Sequence, residues 1–428
     1  MSNEYIIIKF KFPDIFKGCV LMSIGLLRVN VFNESVGAPV SDANVKIMKM
    51  GEDGNIVEEM ITNISGQSDI IELEAPPIEY SLSPNSPKPY SEYKIQVSHE
   101  GFDMIEVDGV QVLGDVFAQQ NIFMRRNDSG RLEDLIFSIP DHTLYGEYPP
   151  KIAEEEVKPL PNATGFVVLD EPVVPEFIVV HDGVPTDTSA PNYWIPYKDY
   201  IKNVASNEIY ASWPTECIKA NVLAIISFTL NRVYTEWYRS RGYNFTVTSS
   251  TAYDQKFVYQ RNIFQEISNV VDDIFSTYIT RPNIEQPLFT QYCDGKNVTC
   301  PNWLSQWGSK YLADEGYTYI DILRNYYGTN IYLESAQSVL GVPSSFPGQV
   351  LQIGSTGASV RMIQEQLNAI SNNYPAINKV AVNGTYSQET LDAVKKFQEI
   401  FNLPQTGIVD YATWYQISRI YVAVEKLA

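Results

Sequence analysis

Residues 195–234 read IPYKDYIKNVASNEIYASWPTECIKANVLAIISFTLNRVY, and this stretch determines the fold of the middle of the chain. Pro196 suits the first turn of a helix, and the apolar residues that follow it recur on one helical face that ends at Glu208. After a short break, the residues from 215 to about 234 are apolar nearly all round, which predicts a buried helix. We therefore expect a mixed α+β domain built around that second helix.

Glu208 is the residue in this stretch that points to chemistry. A carboxylate at the end of an apolar stripe either faces a cleft or is paired, and desolvation in a cleft suits a general acid at neutral pH. An acidic residue at the edge of an apolar face also has an ordinary structural interpretation. Cys217, in the next helix, is expected to be a packed thiol, because no histidine lies nearby in the sequence to activate it.

Three segments with different sequence patterns precede this domain. Residues 1–24 form an N-terminal leader segment that lacks the features of a secretory signal. Residues 25–126 alternate with the period of a strand and contain turn clusters, which predicts a small β-sandwich. Residues 127–167 are rich in Pro and Glu and show no periodicity, so we expect an exposed linker that proteases can cut. The α+β domain then occupies residues 168–342.

Residues 345–428 are predicted to form a compact three-helix domain with an internal repeat. Gly384 and Gly407 each begin a loop that leads into an apolar helix, and Ser387 and Asp410 stand where each helix needs an N-cap. An unrelated helical bundle would account for the apolar positions but not for the duplicated glycine loop. The fold class is therefore multidomain.

Composition narrows the class of partner. The chain has 428 residues and a formal net charge of -20, so it offers no surplus of basic side chains for nucleic acid. No apolar stretch is long enough to span a membrane. The 28 Tyr and 6 Trp fit an uncharged or weakly charged glycan, because amphipathic rings stack on sugars.

Four stretches resemble parts of two known families. VNGTYSQET and TGIVDYATW, within residues 345–428, resemble the peptidoglycan-binding module of wall hydrolases. EIYASWPTECIKAN resembles the first signature of the stage II sporulation protein D family, and LSQWGSKYLADEGYTYIDILRNYYG resembles its second. The order of the units is similar to that of the clostridial-type spore cortex-lytic enzymes.

These resemblances imply a function. The sporulation family comprises lytic transglycosylases, which cut the MurNAc–GlcNAc bond without water, and its catalytic Glu matches Glu208. The family often has Pro two residues after that Glu, where this chain has Tyr210. The cortex-lytic resemblance implies a zymogen that acts in germination, in the spore cortex or outer layers outside the inner membrane. A subtilisin-like germination protease would cut between about Pro159 and Glu176 and give a mature start near Val168.

Further site residues follow from the same signatures. We expect amides, hydroxyls and rings there to position the sugar; the candidates are Trp213, Tyr253, Gln255, Gln291, Ser305 and Gln306. Ser305 has an alternative role as a helix N-cap. A hydrolytic muramidase would need a second carboxylate, for which Asp254 is the alternative candidate. A third possibility is a non-catalytic spore wall-binding or assembly protein.

No cofactor is expected. Some relatives bind zinc in the loop that matches QYCDGKNVTC, which holds Cys293 and Cys300, but the histidines of this chain all lie upstream of it. Because zinc takes four ligands, we expect a disulfide or two unpaired thiols there rather than a metal.

Overall fold

The computed structural model describes residues 22–34, 37–51, 55–127, 134–159, 171–336, 338–339, 347 and 349–425. Most of the predicted leader segment and the predicted mature start at Val168 lie outside these residues.

The N-terminal part consists of β-strands. In chain order they are β1 (Ser23–Asn33), β2 (Asn44–Lys49), β3 (Ile56–Ile61), β4 (Ile71–Ala75), β5 (Tyr90–Ser98), β6 (Met104–Leu113), β7 (Phe117–Met124) and β8 (Asp134–Ser138). One sheet has the order β3-β2-β5-β6-β8, and β7, β1 and β4 lie side by side in the other. Alternate residues of both sheets, such as Leu27 and Val29 on β1 and Val45 on β2, enter one hydrophobic core.

The central part mixes short strands with helices. Its elements are β9 (Val173–Val174), β10 (Phe177–His181), β11 (Asn192–Pro196), α1 (Tyr197–Glu208), α2 (Thr215–Tyr234), β12 (Val247–Thr248), β13 (Ile263–Phe264), α3 (Gln265–Ile274), β14 (Thr277–Thr280), β15 (Tyr292–Cys293), β16 (Leu304–Ser305), α4 (Gln306–Asp314), α5 (Tyr319–Tyr327), β17 (Tyr332–Ser335) and β18 (Ser338–Val339). Helix α2 is buried along almost its whole length and contacts α1, α3, α4 and α5, as the apolar pattern predicts. No helix of the described ranges is long and apolar enough to cross a membrane.

The N-terminal and central parts share one core, which the boundary predicted near residue 126 did not anticipate. Strand β13 pairs antiparallel with β7, so the central part supplies the outermost strand of an N-terminal sheet. Phe264 on β13 is fully buried, and residues of both parts belong to a single hydrophobic cluster. Asn262 reinforces the junction, because its side chain accepts from the backbone N–H of Gln111 at 3.2 Å and donates to the Gln111 carbonyl at 2.9 Å.

The segment predicted to be an exposed linker, residues 127–167, is ordered structure over residues 134–159. Strand β8 pairs with β6, and the chain that follows buries His142, Leu144 and Lys158 against the central part. The prediction was wrong here because it rested on missing periodicity. This segment is held by individual side chains from elsewhere in the chain, which leave no periodic pattern in its own sequence.

Helices α6 (Ala358–Asn373), α7 (Gln388–Ile400) and α8 (Tyr411–Glu425) form the C-terminal part around a separate core. The two predicted glycine loops have the same construction. The Gln364 side chain accepts from the Gly384 backbone N–H at 2.9 Å, and the Gln398 side chain accepts from that of Gly407 at 2.8 Å. Both glycines have positive φ, of 72° and 68°, which a residue with a Cβ adopts only under strain.

The predicted N-caps of the C-terminal helices are present. The Ser387 hydroxyl accepts from the backbone N–H of Thr390 at 3.4 Å, and the Asp410 carboxylate accepts from that of Thr413 at 2.8 Å. The duplicated sequence signature therefore corresponds to a duplicated loop and cap.

Candidate active site

Glu208 is the last residue of α1 and is 3% exposed. The helix stops there because Ile209 is extended, with φ -139° and ψ 155°. The following turn carries the chain to Pro214, the N-cap of α2. The side chain of Glu208 therefore lies at the junction between the two helices that the sequence predicts for this region.

Three donors of the central part fix the Glu208 carboxylate. Its Oε1 accepts from the Lys256 backbone N–H at 3.0 Å and from the Tyr292 hydroxyl at 3.2 Å. Its Oε2 accepts from Gln306 Nε2 at 3.1 Å, and the same nitrogen donates to the Glu208 backbone carbonyl at 2.9 Å. With both oxygens held, the carboxyl has one defined direction.

The carboxyl faces a small cavity of about 60 Å³. Ligand pockets usually measure at least ~300 Å³, so the cavity as it stands is too small for a glycan strand. The central part contributes Glu208, Thr251, Tyr292, Cys293, Asp294, Asn297, Val298 and Gln306 to its walls, and the remaining lining residues are Thr143, Gly146, Tyr148, Pro149, Pro150 and Lys151.

The cavity is small because residues 141–158, which we call the strap, run across it. Thr143 comes closest: its backbone N–H and hydroxyl donate to the Asn207 carbonyl at 3.1 and 2.8 Å, and its Oγ1 lies 3.3 Å from Glu208 Oε2. Further along, Lys151 Nζ donates to the Asp254 carbonyl at 2.6 Å and lies 4.7 Å from the centre of the Tyr292 ring. The strap therefore lies against the Glu208 carboxyl and forms one wall of the cavity.

Both ends of the strap are anchored. At its start, His142 stacks on Tyr210 at 4.4 Å and is fully buried. At its end, the Glu154 carboxylate binds Arg232 at 2.7 Å, Glu156 binds Arg281 at 2.8 Å, and the Lys158 backbone bonds to the Gln286 side chain. The Arg232–Glu154 pair is mostly buried, whereas the Arg281–Glu156 pair is partly exposed, so the end of the strap is held chiefly at Glu154 and by the hydrogen bonds of the Lys158 backbone.

Burial acts on the groups around Glu208. Desolvation raises the pKa of Tyr292 well above its ordinary value, and the negative charge of Glu208 raises it further. The phenol therefore keeps its proton and donates a hydrogen bond to the carboxylate. Desolvation lowers the pKa of Lys151, against the opposing charges of Glu208 and Asp254.

Among the residues predicted to position the sugar, Gln306 is the one that contacts Glu208 and lines the cavity. Ser305 takes its alternative role as an N-cap, since its hydroxyl accepts from the Gly308 backbone N–H at 3.0 Å. Gln291 is bound to the strap: its side chain accepts from the Glu154 N–H at 2.9 Å and donates to the Ile152 carbonyl at 2.7 Å.

The other three lie outside the cavity wall. Trp213 is 3% exposed and its indole N–H donates to the Ser81 carbonyl at 2.8 Å, so it fastens the N-terminal part to the central part instead of facing a sugar. Gln255 is fully buried, and its Oε1 accepts from the hydroxyls of Tyr200 and Thr229. Tyr253 is half-buried, and its carbonyl accepts from Arg232 at 3.0 Å.

Asp254, the alternative second carboxylate, is fully buried and engaged on both oxygens. Oδ1 binds Arg232 Nε at 2.7 Å, while Oδ2 accepts from the Tyr238 hydroxyl at 2.7 Å and from the backbone and side chain of Thr248, both at 2.8 Å. It is not part of the cavity wall. The expectation that Asp254 could act beside Glu208 is therefore corrected: its carboxylate is the structural partner of a buried arginine.

Cys293 and Cys300 form a disulfide across the DGKN turn. Within the described ranges, no group of three or more His, Cys, Asp or Glu side chains is arranged to hold a metal ion. Asp294 in the same turn lines the cavity, and its carboxylate accepts from the backbone N–H groups of Lys296, Asn297 and Val298.

Sequence reasoning missed Tyr292, Lys256 and the strap residue Thr143. Tyr292 lies in a two-residue strand, and Lys256 acts through its backbone N–H, so neither carries a side-chain pattern that sequence reasoning could use. Tyr292 could have been predicted only from its position, because it directly precedes Cys293 in the loop that the resemblance had already singled out.

Two regions match known families. Residues 189–278, which include α1, Glu208 and α2, match the family described as Stage II sporulation protein. Residues 356–417 match the family described as Putative peptidoglycan binding domain. No curated protein matches the chain.

Solved structures resemble parts of the chain. The SleB N-terminal domain is 28% identical and covers 18% of this chain and 99% of its own, with a TM-score of 0.16. The 5-hydroxyisourate hydrolase of Klebsiella pneumoniae is 17% identical, with coverages of 24% and 91% and a TM-score of 0.16. The minor pilin GBS52 of Streptococcus agalactiae is 10% identical, with coverages of 26% and 48% and a TM-score of 0.18.

Proposed function

We propose that this chain, which carries a stage II sporulation protein domain and a peptidoglycan-binding domain and so fits a sporulation cell-wall enzyme, is the zymogen of a lytic transglycosylase. Its substrate is the glycan strand of the spore cortex, cut in germination at the MurNAc–GlcNAc bond. The observation that carries the proposal is Glu208, a carboxyl directed by Tyr292, Gln306 and the Lys256 backbone into a cavity within the matched domain.

One carboxyl is enough for this chemistry. Protonated Glu208 donates to the glycosidic oxygen as the bond to the anomeric carbon breaks. The resulting carboxylate then takes the proton of the muramic 6-hydroxyl as that oxygen closes on the anomeric carbon. The product is a 1,6-anhydro end and no water is consumed. The Asp254 carboxylate forms an ion pair with Arg232, which favours this one-carboxyl route over a two-carboxylate hydrolysis.

The strap supports latency. It narrows the cavity in front of Glu208, and its end at Lys158 leads directly into the stretch from Pro159 to Glu176 where we place the activating cut. A subtilisin-like germination protease would be the partner, and the spore cortex or outer layers, outside the inner membrane, the location. Residues 160–170, which hold the proposed mature start at Val168, lie outside the described residues.

The proposal is tested on purified cortex glycan with the chain after proteolysis. Mass spectrometry of the products distinguishes an anhydro end, which is lighter by one water, from the reducing end that a hydrolytic muramidase leaves. A hydrolytic product would mean that the enzyme is a muramidase, while the proposed substrate, cortex glycan, would stay the same.

Substitution of Glu208 tests the residue. We expect Glu208→Gln to lower the cleavage rate by at least ~10²-fold, because a general acid is lost, while circular dichroism and wall binding stay unchanged. The amide keeps the size of the side chain, and Glu236→Gln on the same domain serves as control. Activity within a few-fold of the original would contradict the assignment, and no cleavage by any processed form would favour a non-catalytic wall-binding protein.

A further inference from the structure

The central part holds the strap with two arginines and two glutamines, and these four side chains recognise two kinds of group. Arg232 and Arg281 each bind a carboxylate of the strap, from Glu154 and Glu156. Gln286 and Gln291 each bind backbone amides of the strap. Carboxylates and secondary amides are therefore the chemistry that this surface is built to bind.

Each guanidinium is positioned by the central part itself. Arg281 donates from Nη2 to the Tyr327 carbonyl at 2.6 Å, and presents Nε and Nη2 to Glu156 at 3.1 and 2.8 Å. Arg232 is tied through Nε to Asp254 at 2.7 Å and presents Nη1 and Nη2 to Glu154 at 3.1 and 2.7 Å. Each arginine thus keeps an anchor of its own and offers a planar fork that fits a carboxylate.

The glutamines bind amide groups in pairs. The Gln286 side chain accepts from the Lys158 N–H at 2.9 Å and donates to the Lys158 carbonyl at 3.0 Å. It is held in turn by Asn231, whose Nδ2 donates to Gln286 Oε1 at 3.1 Å. The Gln291 side chain makes the corresponding two bonds to the Glu154 N–H and the Ile152 carbonyl. An N-acetyl group of an amino sugar offers the same N–H and C=O.

We propose that Arg232, Arg281, Gln286 and Gln291 form a groove that binds an N-acetylated glycan strand bearing carboxylates, and that the strap occupies this groove in the latent chain. The inference rests on the proposed function and extends it from the reacting bond to the binding of the strand. In this assignment Glu154 and Glu156 take the places of the carboxylates that muramyl substituents carry, and the strap backbone takes the places of the N-acetyl amides.

Geometry allows one strand to reach both regions. Lys151 lines the Glu208 cavity and Lys158 bonds to Gln286, and the segment between them spans at most ~25 Å at ~3.3–3.6 Å per residue. A glycan strand lying in the groove is therefore within ~25 Å of the cavity that Glu208 lines. Displacement of the strap opens the cavity and the groove together.

The test uses the full chain and a soluble glycan oligomer with peptide stems, with affinity measured by calorimetry. Glu154→Gln/Glu156→Gln removes the carboxylates that hold the strap while keeping its amides. We expect this variant to bind the oligomer at least ~10-fold more tightly than the original chain, since the arginines become available. The same oligomer with its carboxylates amidated should show a smaller gain.

Arg281→Gln added to that variant should remove part of the gain in affinity, because only Arg232 stays available for a carboxylate. Arg125→Gln is the matched control: Arg125 forms an ion pair with Asp103 at 2.8 Å in the N-terminal part, away from the strap. No gain in Glu154→Gln/Glu156→Gln, or a gain that Arg281→Gln leaves undiminished, would overturn the groove. Cleavage of the same oligomer by the proteolysed chain with Glu208 intact is followed in parallel, with Glu208→Gln as the blank, so that intact binding without cleavage above the blank counts against the proposed function alone.

Discussion

His142 enters the interior as a neutral imidazole. Its Nδ1 accepts from the Leu144 backbone N–H at 3.2 Å, and its Nε2 lies 3.3 Å from the Ile209 carbonyl, so the donor sits on Nε2. Burial lowers the pKa of His142 well below its ordinary value, and the charge of Arg261 lowers it further. A proton added at Nδ1 would face the Leu144 N–H, which opposes protonation in the folded chain.

This residue makes stability depend on pH. Below the ordinary histidine pKa of ~6.5, the imidazole binds a proton in the unfolded chain but not in the folded chain. The free energy of unfolding therefore falls as pH falls, by up to ~1.4 kcal/mol per pH unit. Above that pH the imidazole is neutral in both states and the contribution is complete. Urea unfolding between pH 7 and 5 checks this; His142→Asn should flatten the dependence, and an unchanged slope would contradict it.

Some single residues were predictable and others were not. The carboxyl of Glu208 and the amide of Gln306 stand in local patterns, and the structure brings these two together. Trp213 stands in the same signature but faces Ser81, because its indole N–H finds a carbonyl far away in the sequence. Pairings over that distance depend on the packing of the N-terminal part and have no trace in the sequence around Trp213.

At the scale of elements, the same contrast separates the helices from the strap. Helices α1 and α2 follow from apolar periodicity, which is a local property of the chain. The strap has none, and its burial comes from Arg232, Arg281 and Gln291 in the central part. Composition correctly marked the segment as acidic and rich in proline but could not indicate what its carboxylates bind.

The strap predicts that the chain is inactive before it is cut. Its ion pairs and hydrogen bonds contribute ~0.5–1.5 kcal/mol each, so several of them together should hold back cleavage by more than ~10-fold. We expect digestion with a subtilisin-like protease to raise the rate of cortex lysis, with N-terminal sequencing placing the cut between about Pro159 and Glu176. Full activity of the uncut chain would refute latency.

At the scale of the whole molecule, the pairing of β13 with β7 predicts that the N-terminal and central parts unfold as one cooperative unit. Phe264→Ala should lower the free energy of unfolding by ~3–5 kcal/mol, because it leaves a cavity in the shared core. Because that core belongs to both parts, hydrogen exchange should quicken in β1 and β7 as well as in α1 and α2. Phe397→Ala, in the separate C-terminal core, is the control and should affect only α6 to α8. Faster exchange in the central part alone would show that the two parts unfold independently.

The separate C-terminal core predicts that residues 345–428 can be removed without loss of the rest. We expect their removal to weaken adsorption to insoluble cortex more than cleavage of soluble fragments, because a tethered module raises the local concentration of substrate without joining the chemistry. Sedimentation with cortex and a soluble-oligomer assay measure the two effects. An equal loss on both substrates would mean that these helices complete the wall of the cavity.

The pairing of β13 with β7 also has a consequence for biosynthesis. A ribosome adds ~5–20 residues per second and must add roughly 140 more after Met124 before Phe264 exists, so the nascent chain waits roughly 7–28 s with the outer edge of β7 open. An open strand edge is a template for pairing with another polypeptide. Truncated translation products that end before Ile263 should therefore associate with one another, whereas the finished chain covers that edge with its own residues.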